Sequence, residues 1–367
     1  MKITAVEAIP YAIPYTHPLT FASGSVDTAD HVLIRIHGED GVVGEADAPP
    51  RPYTYGETQV SVKHVVEQLF APQLVGLSVF DRSRIHEIMR RTVHNDVAKG
   101  AVDIALWDAM GKALGHPVHR LLGGYTDSMR VSHMLGFRPA QELLEEALRF
   151  GQEYGITTFK LKVGRRPLDL DVEACHVLRE GLGEDVDIYL DANRGWTANE
   201  ALEVLRRTEG LGLSLLEEPC DAKEAMSRRR LVERSPIPVV GDESVPTPGD
   251  VSRELLSGGC TAICIKTARS GFTEAQQILS LCTGLGVDVT MGNQIDTQVG
   301  SLATVTFGAA FEASSRRAGE LSNFLDMADD LIAEPVRITD GRIRVRDVPG
   351  VGAAVDPDKL EHYRTDR

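Results

Sequence analysis

The chain has no CxxC pair, no apolar run near the roughly 18 residues that a membrane helix needs, and no low-complexity segment or linker long enough to separate independent modules. Its five cysteines, Cys175, Cys220, Cys260, Cys264 and Cys282, are odd in number and absent from the N-terminal part of the chain before Cys175. That pattern speaks against both a disulfide framework and a zinc site, and a reducing cytoplasm is the expected location. The opening Met-Lys-Ile-Thr-Ala-Val-Glu-Ala-Ile-Pro alternates polar and apolar residues and lacks the continuous apolar core of a signal peptide. Basic residues are also too few: a formal charge of -15 and a pI near 5.2 exclude nucleic acid or an anionic membrane as the main partner. A small anionic substrate stays open, because local cations outweigh a screened, distant net charge at contact range.

At 367 residues the chain fits one barrel of about 250 residues plus an added domain. Residues 2–13, 31–37 and 42–47 are expected to be strands, with Gly38-Glu-Asp-Gly41 turning between the last two. From Asn95 the period changes: Ala98, Ala101, Val102, Ala105 and Ala109 fall at helical spacing and stop near Gly115-His-Pro117. After Leu121-Leu-Gly-Gly124, short apolar runs alternate with helical ones. The strands should end near His133, Lys162, Asp191, Glu217, Asp242, Lys266, Gly292 and Ser322. The first helix of this series carries Leu143, Leu144, Ala147, Leu148, Gly151 and Tyr154 on one face and stops at Gly155. The expected architecture is α/β. It is a TIM-type (β/α)7-8 barrel over 126–334 with an α+β capping domain over 1–125, rejoined by the tail 335–367.

Active sites of such barrels lie at the C-terminal ends of the strands. Asp191, Glu217 and Asp242 end three consecutive runs, and three carboxylates in one place repel unless a hard divalent cation such as Mg²⁺ or Mn²⁺ joins them. Lys160 and Lys162 flank Leu161, so both face the barrel mouth, where the metal and each other would lower their pKa. Lys266 lies almost opposite. A substrate between them would meet a lysine on each face, which suits proton transfer next to a metal-bound carboxylate.

The set Lys160-x-Lys162, Asp191-Ala-Asn193, Glu217-Glu-Pro219, Asp242-Glu-Ser244 and Lys266 resembles the muconate-lactonizing subgroup of the enolase superfamily. Ala105-Leu-Trp-Asp108, Gly115-x-Pro117 and Leu121-Leu-Gly-Gly124 resemble the junction between capping domain and barrel in that family. The resemblance implies Asp191, Glu217 and Asp242 as metal ligands and Lys162 and Lys266 as the acid/base pair. It also implies Lys160 beside them and Asn193, Glu218 and Glu243 around the ligands. Dipeptide epimerases of the subgroup resemble one another in an Asp-x-Asp at the eighth strand, where this chain has Glu320-Leu-Ser-Asn-Phe324. Mandelate-racemase-like members use a histidine at the seventh strand, and Met291-Gly-Asn-Gln-Ile-Asp296 has none.

An apolar or neutral eighth-strand mouth with Ser322, Asn323 and Phe324 suits a dicarboxylate without an amine, and Asn293 after the seventh strand is a further substrate-binding candidate. The implied activity is interconversion of cis,cis-muconate and muconolactone in aromatic catabolism, by a homo-oligomer. The alternatives are a dipeptide or N-acylamino acid racemase/epimerase, an o-succinylbenzoate synthase, or a barrel that binds an acidic metabolite without turnover. Asp296 is equally a site acid or a helix N-cap. His17, Arg51 and Tyr53, in segments expected to be capping loops, are candidates for the distal carboxylate. His133 is expected in a barrel layer or beside a metal-bound water.

Overall fold

Period-two alternation in the first fifty residues builds a three-stranded antiparallel sheet, β1 (Ile3–Phe21), β2 (Gly24–Gly38) and β3 (Val43–Ala48), in that spatial order. The computed structural model describes residues 1–21 and 24–366. β1 is longer than expected: Tyr15-Thr-His-Pro-Leu-Thr-Phe21, expected to be a capping loop, continues the strand through Leu19↔Val26 and Phe21↔Gly24. Pro10, Pro14 and Pro18 are tolerated because β1 is an edge strand, whose outer amides owe nothing to a ladder. A register shift between Pro14 and Leu19 absorbs the irregularity. The side chain of Phe21 lies outside the described residues.

Eight parallel strands follow: β4 (Ser128–Leu135), β5 (Thr158–Lys162), β6 (Asp187–Asp191), β7 (Leu216–Glu217), β8 (Val239–Gly241), β9 (Ala262–Ile265), β10 (Asp288–Met291) and β11 (Gly319–Glu320). Each ends within two residues of its expected position. Ladders run in the order β10-β9-β8-β7-β6-β5-β4-β11, so the barrel is nearly closed; among the described residues no ladder joins β10 to β11. The two still meet, since a Cβ built on Gly319 would stand 3.3 Å from Met291 Cβ. Tyr189, Leu215, Val240, Ala262 and Cys264 fill the interior below the mouth.

Helix Asp96–Leu114 joins the two parts. It is buried along nearly its whole length and packs on β3 and on helix Thr267–Leu285. Asp108 accepts from Glu45 N at 2.9 Å and Val351 N at 2.7 Å, tying sheet, helix and tail together. The tail first adds β12 (Arg342–Arg344), antiparallel to the start of β4, and then returns to the sheet, where Thr365 N donates to Pro10 O at 2.9 Å. No helix of the described residues is long and apolar enough to cross a membrane.

Candidate active site

Alternation on β5 turns Lys160 and Lys162 inward together, and the next three strands bring Asp191, Glu217 and Asp242 beside them. Lys160 Nζ lies 2.9 Å from Asp191, 2.8 Å from Glu217 and 2.9 Å from Glu320. Lys162 Nζ is 2.6 Å from Asp191 and donates to Asn193 Oδ1 at 2.8 Å. Four strands around, Lys266 Nζ meets Asp242 at 2.6 Å, and Arg269 reaches the other oxygen of Asp242 at 2.9 Å. All of these groups are buried except Asn193, which is half-buried.

Four acids and four bases in so small a volume set one another's ionisation. Burial works to raise Asp191, but Lys160 and Lys162 prevail and take it down to about 2. Asp242 is likewise lowered against its burial, by Lys266 and Arg269. Glu217 goes the other way, up to about 8, because burial and the neighbouring Asp191 and Asp242 outweigh Lys160. The carboxylates around Lys160 work against the lowering expected of it beside a metal, and Lys266 is held in the same way. Burial depresses each, but Asp191, Glu217 and Glu320 around Lys160, and Asp242 beside Lys266, lift both well above the ordinary range.

The donor set fits a hard divalent cation. Glu217, Asp242 and Cys264 present atoms within 4.8 Å of one another, and Asp191 joins Glu217 across the Lys160 ammonium. Burial and those two carboxylates push the Cys264 thiol up, and because a hard cation prefers oxygen donors to sulfur, the carboxylates are the ligands the set offers.

Backbone geometry holds these side chains in place. Asn193 and Glu218 have φ of 41° and 38°, a region costly for residues other than glycine. Asn193 N donates to Asp191 Oδ1 at 2.9 Å, and its amide reaches Glu243 at 3.0 Å. Glu218 accepts from Asp242 N at 2.6 Å and from the Ser244 hydroxyl at 2.9 Å, while its other oxygen takes Arg228 Nη1 at 2.6 Å. Burial together with Asp242 and Glu218 raises Glu243 to about 7.

Two glycines matter here. Gly271, at φ 59°, breaks the helix after Ser270 so that Asp103 can cap Phe272 N at 2.7 Å and Thr273 N at 2.8 Å, and the freed turn carries Arg269. A Cβ on Gly292 would stand 2.3 Å from Cys264 Sγ and 2.9 Å from Lys266 Cε, so only glycine lets that lysine cross the mouth.

A cavity above the acids is walled by Lys162, Lys266, Asn193, Glu243 and Glu320 from the barrel, by Arg51, Thr54 and Tyr55 from the capping domain, and by Asn293, Gln294 and Ile295 after β10. Arg51 thus reaches the mouth, where it donates to Gln294 O and, at 3.4 Å, to Ile295 O. The other two capping candidates do not. His17 is exposed, Tyr53 is 76% exposed, and neither lines the cavity.

Asn293 Oδ1 accepts from Asp296 N at 2.8 Å, and its Nδ2 has no hydrogen-bond partner. Asp296 is not the N-cap of helix Gln298–Gly308, which is Thr297; it is buried below the cavity and raised to about 7 by burial and Asp47, with Arg51 opposing. Ser322 and Phe324 are also corrected. The Ser322 hydroxyl is engaged by His133 Nδ1 at 2.8 Å, and Phe324 belongs to the core. His133 points outward from the barrel, stacked on Phe150 at 3.8 Å and 3.3 Å from Glu146, and lines no interior layer.

Glu320, Arg269, Tyr55 and Arg228 were not anticipated. Glu320 ends a two-residue strand too short for any periodicity signal. Arg269 follows Lys266 by three residues, one helical turn, which was a usable hint. Tyr55, whose hydroxyl receives Arg269, lies in the 50–55 segment already suspected. Arg228 heads a run of three arginines that looks like a solvated helix face, yet it is fully buried.

Residues 4–123 match the model of the mandelate racemase/muconate lactonizing enzyme N-terminal domain, and 142–359 match that of the enolase C-terminal domain-like family. Muconate cycloisomerase 1 of Rhodococcus opacus is 30% identical over 99% of this chain and 98% of its own. L-Ala-D/L-Glu epimerase of Bacillus subtilis (strain 168) is 31% identical over 86% of each. Among solved structures, a muconate lactonizing enzyme from Mucobacterium Smegmatis complexed with muconolactone superposes with a TM-score of 0.99 at 55% identity, each chain covered completely. Two lysines facing each other across a carboxylate mouth, under a capping sheet and with both family models matched in order, make this chain an enzyme of the enolase superfamily, in its mandelate racemase/muconate lactonizing enzyme family.

Proposed function

We propose that the protein is a muconate cycloisomerase, converting cis,cis-muconate to muconolactone and back. The observation that carries the reading is a cavity with cations at both ends and no acidic pair at the end of β11. Lys162 and Lys266 stand at the barrel end and Arg51 at the capping end, while Glu320, the acid of β11, is taken up by Lys160. Asp191, Glu217 and Asp242 would hold Mg²⁺ or Mn²⁺, which when bound supplies electrostatic stabilisation for charge developing on the proximal carboxylate. Arg51 would orient the distal carboxylate. As the ring closes, an oxygen of that carboxylate bonds to the far carbon of the nearer double bond, whose electron pair moves to the carbon beside the proximal carboxylate. A lysine ammonium then protonates that carbon. Lys162 and Lys266 approach from opposite faces, so the lysine used decides between syn and anti addition. The relatedness to muconate enzymes along the full chain supports the same reading.

The test is ultraviolet measurement of cis,cis-muconate consumption with Mg²⁺ or Mn²⁺, before and after chelation. Ala-Glu epimerisation, followed by NMR in D₂O, is the comparison. Metal-dependent turnover of muconate with a kcat/KM far above that for the dipeptide is expected, because the end of β11 offers no acidic pair to replace the water lost from a dipeptide ammonium. A higher kcat/KM for the dipeptide overturns the proposal.

A further inference from the structure

We propose that Asp47, near the end of β3, is a positioning residue that clamps the capping sheet to the loop after β10 and so fixes the wall of the substrate cavity. The inference rests on the cycloisomerase reading for its kinetic readout alone. Asp47 is 3% exposed and makes no polar contact with the lysines or acids of the mouth among the described residues. Its Oδ1 accepts from the Tyr11 hydroxyl of β1 at 2.7 Å, and His31 Nδ1 of β2 lies 3.0 Å from its Oδ2. That same Oδ2 accepts from the Thr297 hydroxyl at 2.9 Å and from Thr297 N at 3.4 Å, across the domain boundary. One carboxylate thus joins two strands of the sheet to the N-cap of a barrel helix, where a negative charge is also favoured by the helix dipole.

Both segments that leave this clamp run directly into the cavity wall. From β3 the chain passes Pro49, whose carbonyl accepts Gln294 Nε2 at 2.7 Å, and reaches Arg51, which binds Gln294 O. Backwards from Thr297 it passes Ile295, a β-branched residue at φ 61° that must be held against its own preference. Tyr11, His31 and Thr297 are all fully buried, so the clamp has no solvent to fall back on if a partner is lost. A carboxylate serves here because donors arrive at both oxygens. An asparagine would turn a donor toward Thr297 N, and a backbone amide cannot reverse its role.

Asp47→Asn and Thr297→Val test the clamp, the second cutting only the barrel side and leaving Tyr11 and His31 on Asp47. Each should raise KM for cis,cis-muconate about tenfold while kcat stays within about twofold, since the wall and not the proton donors is disturbed. Amide exchange over residues 293–298 should quicken in both. The double variant should be no worse than Asp47→Asn alone, and Thr297→Ser, which keeps the hydroxyl, should restore the parent KM. An unchanged KM with a lowered Tm, additive losses, or unchanged exchange at 293–298 in Thr297→Val overturns the clamp. If the parent enzyme fails to consume muconate, the proposed function falls and the exchange measurement alone decides the clamp.

Discussion

Two buried groups of acids lie a short distance apart, and they are kept in place by opposite means. At the mouth, Asp191, Glu217, Asp242 and Glu320 face Lys160, Lys162, Lys266 and Arg269, and Asp191 and Asp242 are held below the ordinary carboxylate range. At the domain boundary, Asp296 and Asp330 receive mainly backbone amides, and burial drives both up to about 7. Cations keep Asp191 and Asp242 charged, although Lys160 alone does not do so for Glu217, whereas amide donors let Asp296 and Asp330 take up a proton. The first arrangement holds charge ready for exchange with a metal and a dianion. The second keeps charge away from the joint.

The sharpest way to break the comparison is to remove a cation from the mouth. Of Lys162→Ala and Lys266→Ala, the one that removes the proton donor should lower kcat by about 10²–10⁴-fold. Deuterium placement in lactone formed in D₂O, read by NMR, should identify the same lysine. Near-parent rates in both variants would end the assignment. Next in size, Arg228→Leu should cost about 3–5 kcal/mol in denaturant unfolding, because it strands Glu218 as a buried, uncompensated charge. A loss under 1 kcal/mol would show that the pair is not what holds β7 to β8.

At the boundary the sign is reversed. The folded pKa of Asp296, about 7, lies above its ordinary 3.8, so between those values the native state keeps a proton that the unfolded chain has lost. Stability should therefore fall as pH rises from about 4 to about 7 and change little above, with Asp296 responsible for about 4 kcal/mol at most. Asp330 acts in the same direction. Asp296→Asn should flatten its part of the slope in Tm measured against pH; an unaltered slope would place that proton elsewhere. The smallest effect expected is from Gly292→Ala, which pushes on Lys266 Cε and Cys264 Sγ. It should lower kcat about tenfold with little change in KM, and a raised KM at constant kcat would locate its damage in the wall instead.

Much of the barrel was legible because β5 to β9 each run from an apolar stretch up to a charged residue, and Lys160, Lys162, Asp191, Glu217, Asp242 and Lys266 all converge as those endings implied. What failed was local. Tyr15–Phe21 was expected as a capping loop and is strand, because an edge strand cannot be told from a loop until its neighbours are known. Ser322 and Phe324 were assigned to the mouth by position in the chain, but the chain turns into a 3₁₀ segment at Asn323–Asp326 and carries Phe324 into the core. Tyr53 and Arg51 are two residues apart in one turn, and only packing against Gln294 decides which is used. Asp47 had no signal at all, since its partners are 16 to 250 residues away.

The seam between β10 and β11 has a consequence for how new specificities arise on this scaffold. Everywhere else around the barrel, moving one strand breaks backbone hydrogen bonds to its neighbour. Here the two strands meet through side chains and a glycine, and they are the ones that lead into Asn293, Gln294 and Glu320. Substitutions that widen or narrow the mouth at this point can be absorbed by a small shift of one strand past the other. A library aimed at new acids would do best to vary these two strand ends and leave β5 to β9 untouched.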